Sequence, residues 1–184
     1  MAVIWLVRHG QTEWSAAGRH TGLTDVPLTA EGEAQARGLA PRLSRPADDP
    51  WALVLASPLQ RAWRTALLAG LAPEPEPDLL EWDYGQAEGL TTAELSTDGP
   101  WRVWDADCLG ETLDQVAERV RRVLARVPSE GDTLLVAHGH VLRILAAVYL
   151  ELDPKDGRHL KLDAGRVSVL GHEHDWPALE EWNT

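Results

Sequence analysis

The sequence predicts one α/β domain over residues 1–184, a three-layer α/β/α sandwich with a mostly parallel sheet and helices on both faces. Three observations predict it. Three short apolar runs, residues 2–7, 51–56 and 133–137, each stop abruptly at polar residues with glycine or proline, the pattern of buried parallel strands. Stretches with apolar side chains at helical spacing follow the second and third runs, and strand-to-helix alternation builds a parallel sheet. The chain has the length of a single domain with a full core.

Taken in order, the first strand ends at Arg8-His9-Gly10-Gln11-Thr12. Residues 14–28 carry glycyl and prolyl breaks without helical periodicity, and are expected to form an ordered loop over the site. Thr29 can cap a helix running to about Ser44, with Ala36, Leu39, Ala40 and Leu43 on one face. A turn at 46–50 leads into the second strand. Ser57-Pro58 then reads as a helix start, Ser as N-cap and Pro as first helical residue. Leu59, Ala62, Trp63, Ala66 and Leu67 form the stripe of that helix, with Arg61 off it in the first turn.

Residues 73–78 alternate Pro and Glu as a stiff connection. A short extended segment at Leu79-Leu80 leads to a loop holding Glu81, Asp83 and Glu88. Residues 91–108 read as broken helix with Trp101 and Trp104 on one face. Thr112 with Gln115 is a capping box opening a helix through Val127. The third strand ends in His138-Gly139-His140, residues 141–150 are apolar enough for a buried helix, and a last strand covers 167–170. The tail from Gly171 is polar and Trp-rich.

A net charge of −12 argues against a nucleic-acid or anionic-membrane partner. It also makes a local cluster of arginines more informative, because the global field opposes an anionic ligand. No stretch approaches the roughly 18 apolar residues of a membrane span. Cys108 is the one cysteine, so an intrachain disulfide is excluded; it reads as a packed small residue. A cytoplasmic protein, monomer or homodimer, is expected.

In an open α/β sheet, ligands bind beyond the carboxyl ends of the strands. All three buried strands finish there in reactive groups: Arg8-His9, Ser57 with Arg61, and His138. Two arginines and two histidines converging in an acidic protein suit a phosphate dianion, its oxygens held by Arg8, Arg61 and His138. Phosphoryl transfer needs an in-line nucleophile and a proton for the leaving oxygen. His9 can be the nucleophile, and Glu81 can be the acid, then the base for water.

These motifs resemble the histidine phosphatase superfamily, with its phosphoglycerate-mutase-like fold. Arg8-His9-Gly10 looks like its signature loop, Ser57-Pro58 with Arg61 its second motif, and Ala137-His138-Gly139 its third. Leu80-Glu81 with Tyr84-Gly85 and Glu88-Gly89 resembles the loop carrying the proton donor, which selects Glu81 over Asp83 and Glu88. The resemblance implies a phosphohistidine on His9, no cofactor, no metal and a small phosphorylated substrate.

Longer strings, among them Gly10-Gln11-Thr12-Glu13-Trp14-Ser15, Thr21-Gly22-Leu23 and Glu81-Trp82-Asp83-Tyr84-Gly85, resemble sedoheptulose bisphosphatases and related small acid phosphatases. By that resemblance Thr21, Gly22, Tyr84, His140 and Arg143 line the sugar or second-phosphate part of the site. The same resemblance implies that the motif residues Gln11, Ser15, Ser57 and Gly139 border the substrate as well. The departure is size: thirteen residues separate Leu150 from Ala164, where such a bisphosphatase carries a long insertion.

Cofactor-dependent mutases of the family carry a larger helical insertion between the acid and third-motif loops, whereas Glu81 and His138 are 57 positions apart. An open pocket admits water, so hydrolysis is expected, with mutase activity or protein-phosphohistidine hydrolysis as alternatives. A non-catalytic phospholigand-binding protein would lack a catalytic group, and none of the five is missing. His138/His140 and His172/His174 with Asp175 have ligand-like spacing for a metal, but two arginines beside His138 oppose a divalent cation.

Overall fold

A computed structural model describes residues 2–97, 99–107 and 109–184; the expectation for Cys108 lies outside these. The strands are β1 (Ile4–Arg8), β2 (Leu53–Ala56), β3 (Glu74–Pro75), β4 (Thr133–Ala137), β5 (Val167–Glu173) and β6 (Trp176–Glu181). They form one sheet in the order β3-β2-β4-β1-β5-β6. The first four run parallel, while β5 and β6 are antiparallel additions at one edge. The helices are α1 (Glu13–Ala16), α2 (Ala30–Gly38), α3 (Ala40–Leu43), α4 (Gln60–Leu68), α5 (Thr92–Leu95), α6 (Leu113–Ala125) and α7 (Gly139–Tyr149). None of the described helices is long and apolar enough to cross a membrane.

Strand side chains alternate between two faces, and that alternation builds the three layers. Ile4, Leu6 and Leu135 pack with Val116, Val120 and Val123 of α6 and Leu142 and Leu145 of α7. Val7, Leu134 and Val136, on the opposite face, pack with Leu39 and Leu43 around α2 and α3 and with Ala62 and Ala66 of α4. Register then brings the strand ends together: Arg8 pairs with Ala137 and Ala56 with Val136. His9 and Ser57 continue the ladder by donating their N–H groups to the carbonyls of Ala137 and Val136, each at 3.0 Å.

Several expectations are corrected. Thr29 does cap α2 through its hydroxyl, but the expected single helix to Ser44 divides at Leu39. Pro41 lacks an N–H and cannot continue the ladder of α2. Ser57 is not the N-cap of α4; the helix starts at Gln60, whose N–H donates to Asp25 Oδ1 at 2.8 Å. The cap comes from the 14–28 loop, and the Ser57 hydroxyl meets His138 at 2.7 Å and accepts from the Leu59 N–H at 3.4 Å. That loop itself begins with the one-turn α1, closed by a capping box between Thr12 and Ser15. The Pro/Glu connection supplies the two-residue strand β3 and a 3-10 turn, Pro77–Leu79.

Trp101 and Trp104 do not share a helix face: between α5 and α6 the chain makes a 3-10 turn, Val103–Asp105, with Trp101 before it. The capping box of Thr112 and Gln115 is present at the start of α6. The polar tail forms β6, returning as a hairpin on β5.

Candidate active site

Beyond the carboxyl ends of β1 and β4 lies a cavity of about 200 Å³, bordered by Arg8, His9, Ser15, Gly18, Arg19, His20, Thr21, Glu81, Tyr84, Gly139, His140, Arg143 and Leu162. His9 is 4% exposed. Its Nδ1 lies 2.7 Å from the Gly10 carbonyl, which can only accept, so Nδ1 carries the hydrogen. Nε2 therefore holds the free lone pair.

The Arg8 guanidinium donates through one terminal nitrogen to the Leu162 carbonyl. Its buried Nε–H has no partner among the described residues. An orphaned charged donor beside a free imidazole lone pair suits an anionic oxygen. Gly139 makes that placement possible, since a Cβ there would sit 3.3 Å from the guanidinium carbon.

Arg61 and His138 were expected to hold substrate oxygens, and the structure seats both behind His9. Each is fully buried, and neither borders the cavity. Arg61 donates to the carbonyls of Thr24 (2.8 Å) and Gly22 (2.7 Å) and, through Nε, to His138 Nδ1 at 3.0 Å. Because a guanidinium only donates, His138 carries its hydrogen on Nε2 and gives it to Ser57 Oγ at 2.7 Å. The rings of His9 and His138 meet edge-on with centroids 5.1 Å apart. As arranged, Arg61 supplies positive charge and His138 backs the His9 ring.

Glu81 sits at the N-terminus of α7. Its Oε1 accepts from the N–H groups of Trp82 and Val141 and its Oε2 from that of His140, all at 2.9–3.0 Å. Oε2 has one bond only and retains a lone pair for a proton. Asp83 and Glu88 structure loops: Asp83 Oδ1 accepts from Gly85 N–H at 2.9 Å. Glu88 accepts from the N–H groups of Gly22 and Thr24, holding the carbonyls that grip Arg61.

Of the remaining sequence-named residues, Thr21, Tyr84, Gly139, His140 and Arg143 border the cavity. Burial raises the Tyr84 phenol well above its ordinary range, so it stays protonated, and its oxygen lies 2.5 Å from His140 Nδ1. Ser15 borders the cavity, but its hydroxyl is engaged with Thr12. Gln11 and Gly22 stand back from it. Gln11 Oε1 accepts from the Thr29 hydroxyl at 3.0 Å, and Gly22 is enclosed by Glu88 and Trp82. The sequence reading missed Gly18, Arg19, His20 and Leu162. A basic pair beside Thr21 was a usable signal for two of these; nothing local marks Leu162.

Burial, then the charges of Arg61 and Arg8, hold the His9 imidazole well below its ordinary range. Burial and Arg61 act likewise on His138. Unfolded histidine takes up a proton near pH ~6.5, whereas these two stay neutral to lower pH. Their contribution to stability is complete above about pH 6.5 and is lost as pH falls toward the folded values, at up to ~1.4 kcal/mol per pH unit for each. Between pH 7.5 and 5.5 the protein is expected to lose stability from this source. Urea unfolding at the two pH values measures it; an unshifted midpoint rejects the neutral assignment.

Comparison with known proteins agrees with this geometry. The pattern of the histidine phosphatase superfamily (branch 1) matches residues 4–184. An acid phosphatase of Mycobacterium tuberculosis is 39% identical, the match covering 92% of this chain and 86% of that protein. A sedoheptulose 1,7-bisphosphatase of Saccharomyces cerevisiae is 34% identical over 95% and 90%. That match extends over 244 positions against the 184 residues of this chain, so the yeast protein carries inserted sequence. Among solved structures, an open-reading-frame product of Mycobacterium tuberculosis superposes with a TM-score of 0.91 at 35% identity, covering 99% of this chain and 97% of that one. A putative α-ribazole-5′-P phosphatase of Escherichia coli superposes with a TM-score of 0.84 at 28% identity, covering 100% and 96%. With the family pattern running from the first strand to the last residue, the chain belongs to the histidine phosphatase superfamily, and it is an enzyme of the kind that hydrolyses phosphate esters.

Proposed function

We propose that the protein hydrolyses small phosphorylated metabolites, sugar phosphates and bisphosphates among them, through a phosphohistidine on His9 and without a metal. The observation that carries this reading is the free Nε2 lone pair of His9 at the cavity wall beside the unpartnered Nε–H of Arg8. A phosphate oxygen accepting from Arg8 presents phosphorus to His9. The Nε2 lone pair forms the P–N bond as the P–O bond to the leaving group breaks, and Glu81 gives its proton to the departing oxygen. Water then attacks phosphorus, yields a proton to Glu81 and releases inorganic phosphate with His9 restored. Phosphate release from a panel of sugar phosphates in excess chelator tests the reading. Failure on the whole panel, or activity only with an added divalent ion, overturns it.

Arg143 supports the bisphosphate part of the proposal. Nε and one terminal nitrogen donate to the carbonyls of Gly157 (3.0 Å) and Arg158 (2.9 Å), and the guanidinium lies 5.0 Å from the centre of the Trp104 ring. Among the described residues no carboxylate lies within ion-pair distance of it, so its charge is available at the cavity rim. A charge-assisted hydrogen bond corresponds to about 10- to 150-fold in specificity. Arg143→Ala is therefore expected to lower kcat/KM for a sugar bisphosphate by that factor relative to an aryl phosphate; an unchanged ratio rejects the second-anion role.

A further inference from the structure

A second, larger pocket of about 550 Å³ adjoins the catalytic cavity and shares His20 with it. Besides His20, its walls include Trp101, Trp104, Arg102, Arg158 and His159. His20 packs edge-on against Tyr84 on the catalytic side, centroids 5.2 Å apart, and against Trp101 on the other, 5.0 Å apart. Trp104 lies beneath the Arg143 guanidinium, and Arg143 also donates to the Arg158 carbonyl. One continuous wall of side chains thus runs from the reacting phosphate position to the second pocket. The one carboxylate there, Asp105, is engaged by Lys155 at 2.6 Å, whereas Arg102 has no carboxylate within ion-pair distance among the described residues. The pocket is therefore aromatic and basic in a protein whose net charge is −12.

We propose that this pocket receives a planar heterocycle carried on the sugar of a phosphorylated sugar, so that the preferred substrates have the build of nucleotides. The small cavity takes the phosphate and the sugar; the chain of the leaving group passes His20; the ring lies against Trp101 and Trp104. Indole faces offer stacking to a flat ring. Arg102 supplies donors for the ring's acceptor atoms, while Arg158, which donates to His159 Nε2 at 2.9 Å and lies 3.8 Å from Asp156, borders the pocket beside it. Nothing in the phosphatase chemistry itself requires such a pocket.

The inference rests on the reading of His9 as the phosphoryl acceptor, and the test keeps the two apart. Ribose 5-phosphate and adenosine 5′-monophosphate share phosphate and sugar and differ in the ring. Their kcat/KM values are measured with the wild-type protein, and their dissociation constants are measured by calorimetry with His9→Ala, which reports binding without turnover. Adenosine 5′-monophosphate is expected to have a kcat/KM about 10-fold or more above that of ribose 5-phosphate and a dissociation constant about 10-fold or more below it, as one stacked ring allows. Trp101→Leu is expected to bring the two ratios close to one. Equal values for the two ligands in the wild-type protein overturn the ring pocket while ribose 5-phosphate turnover leaves the phosphatase reading standing. A preference that survives Trp101→Leu places the ring elsewhere and also overturns it. If neither ester is hydrolysed, the binding ratio in His9→Ala decides the ring pocket, and the phosphatase reading is decided by the full panel of sugar phosphates. Should Trp101→Leu not fold, the wild-type ratio alone decides.

Discussion

Replacing His9 with alanine is expected to lower kcat by roughly 10⁴-fold or more, because the step that accepts the phosphoryl group is removed rather than weakened. The fold is expected to survive. Nδ1 bonds only the neighbouring Gly10 carbonyl, a loss of about 1 kcal/mol, and the ring's contact with His138 is a single edge-on pair. Rapid mixing of wild-type protein with ³²P-labelled ester, followed by denaturation, should trap an acid-labile phosphoramidate that maps to His9 and is absent from His9→Ala. Label on Ser57 would overturn the mechanism. Ser57 is the nearest alternative, but its hydroxyl is fully buried and bonded to His138, so it offers no face to the cavity.

Glu81→Gln is expected to slow esters with poor leaving groups by roughly 10²–10⁴-fold. Aryl phosphates should be slowed far less, since their departing oxygens need little protonation. The substitution also has a structural cost that must be separated from the chemical one. Glu81 accepts three backbone N–H groups at the start of α7. A glutamine amide can keep the two at Oε1, but its NH₂ then opposes the His140 N–H, donor against donor. Loss of that bond costs about 1–3 kcal/mol of stability and displaces His140. Such a displacement would slow both substrate classes alike, so the ratio of their rates isolates the proton transfer. If alkyl and aryl phosphates lose the same factor, Glu81 acts by holding α7 rather than as acid.

Most of the element order was legible because its signals are local. The strand ends are written in abrupt transitions such as Val7-Arg8-His9 and Ala137-His138-Gly139, and the starts of α2 and α6 in Thr29 and in Thr112 with Gln115. The start of α4 was misread because Ser57-Pro58 carries every local mark of a cap, while the acceptor that serves Gln60 is Asp25, 35 positions earlier. β6 was missed because its hydrogen bonds exist only against β5, and its own residues are mainly exposed and show no alternation of apolar and polar side chains.

At the site the division is the same. By itself the sequence determined which reactive groups meet, Arg8, His9, Arg61, Glu81 and His138, since each is placed by the end of a strand or by a motif beside one. The tertiary structure decided which of them face the cavity. Side chains with several donors take their partners from distant carbonyls: Arg8 from Leu162, 154 positions away, and Arg61 from Thr24, 37 positions away. Those choices leave the Arg8 Nε–H free and use up Arg61. They follow from three-dimensional hydrogen-bond accounting, in which most buried donors find an acceptor, and no local pattern in the chain encodes where that acceptor will be.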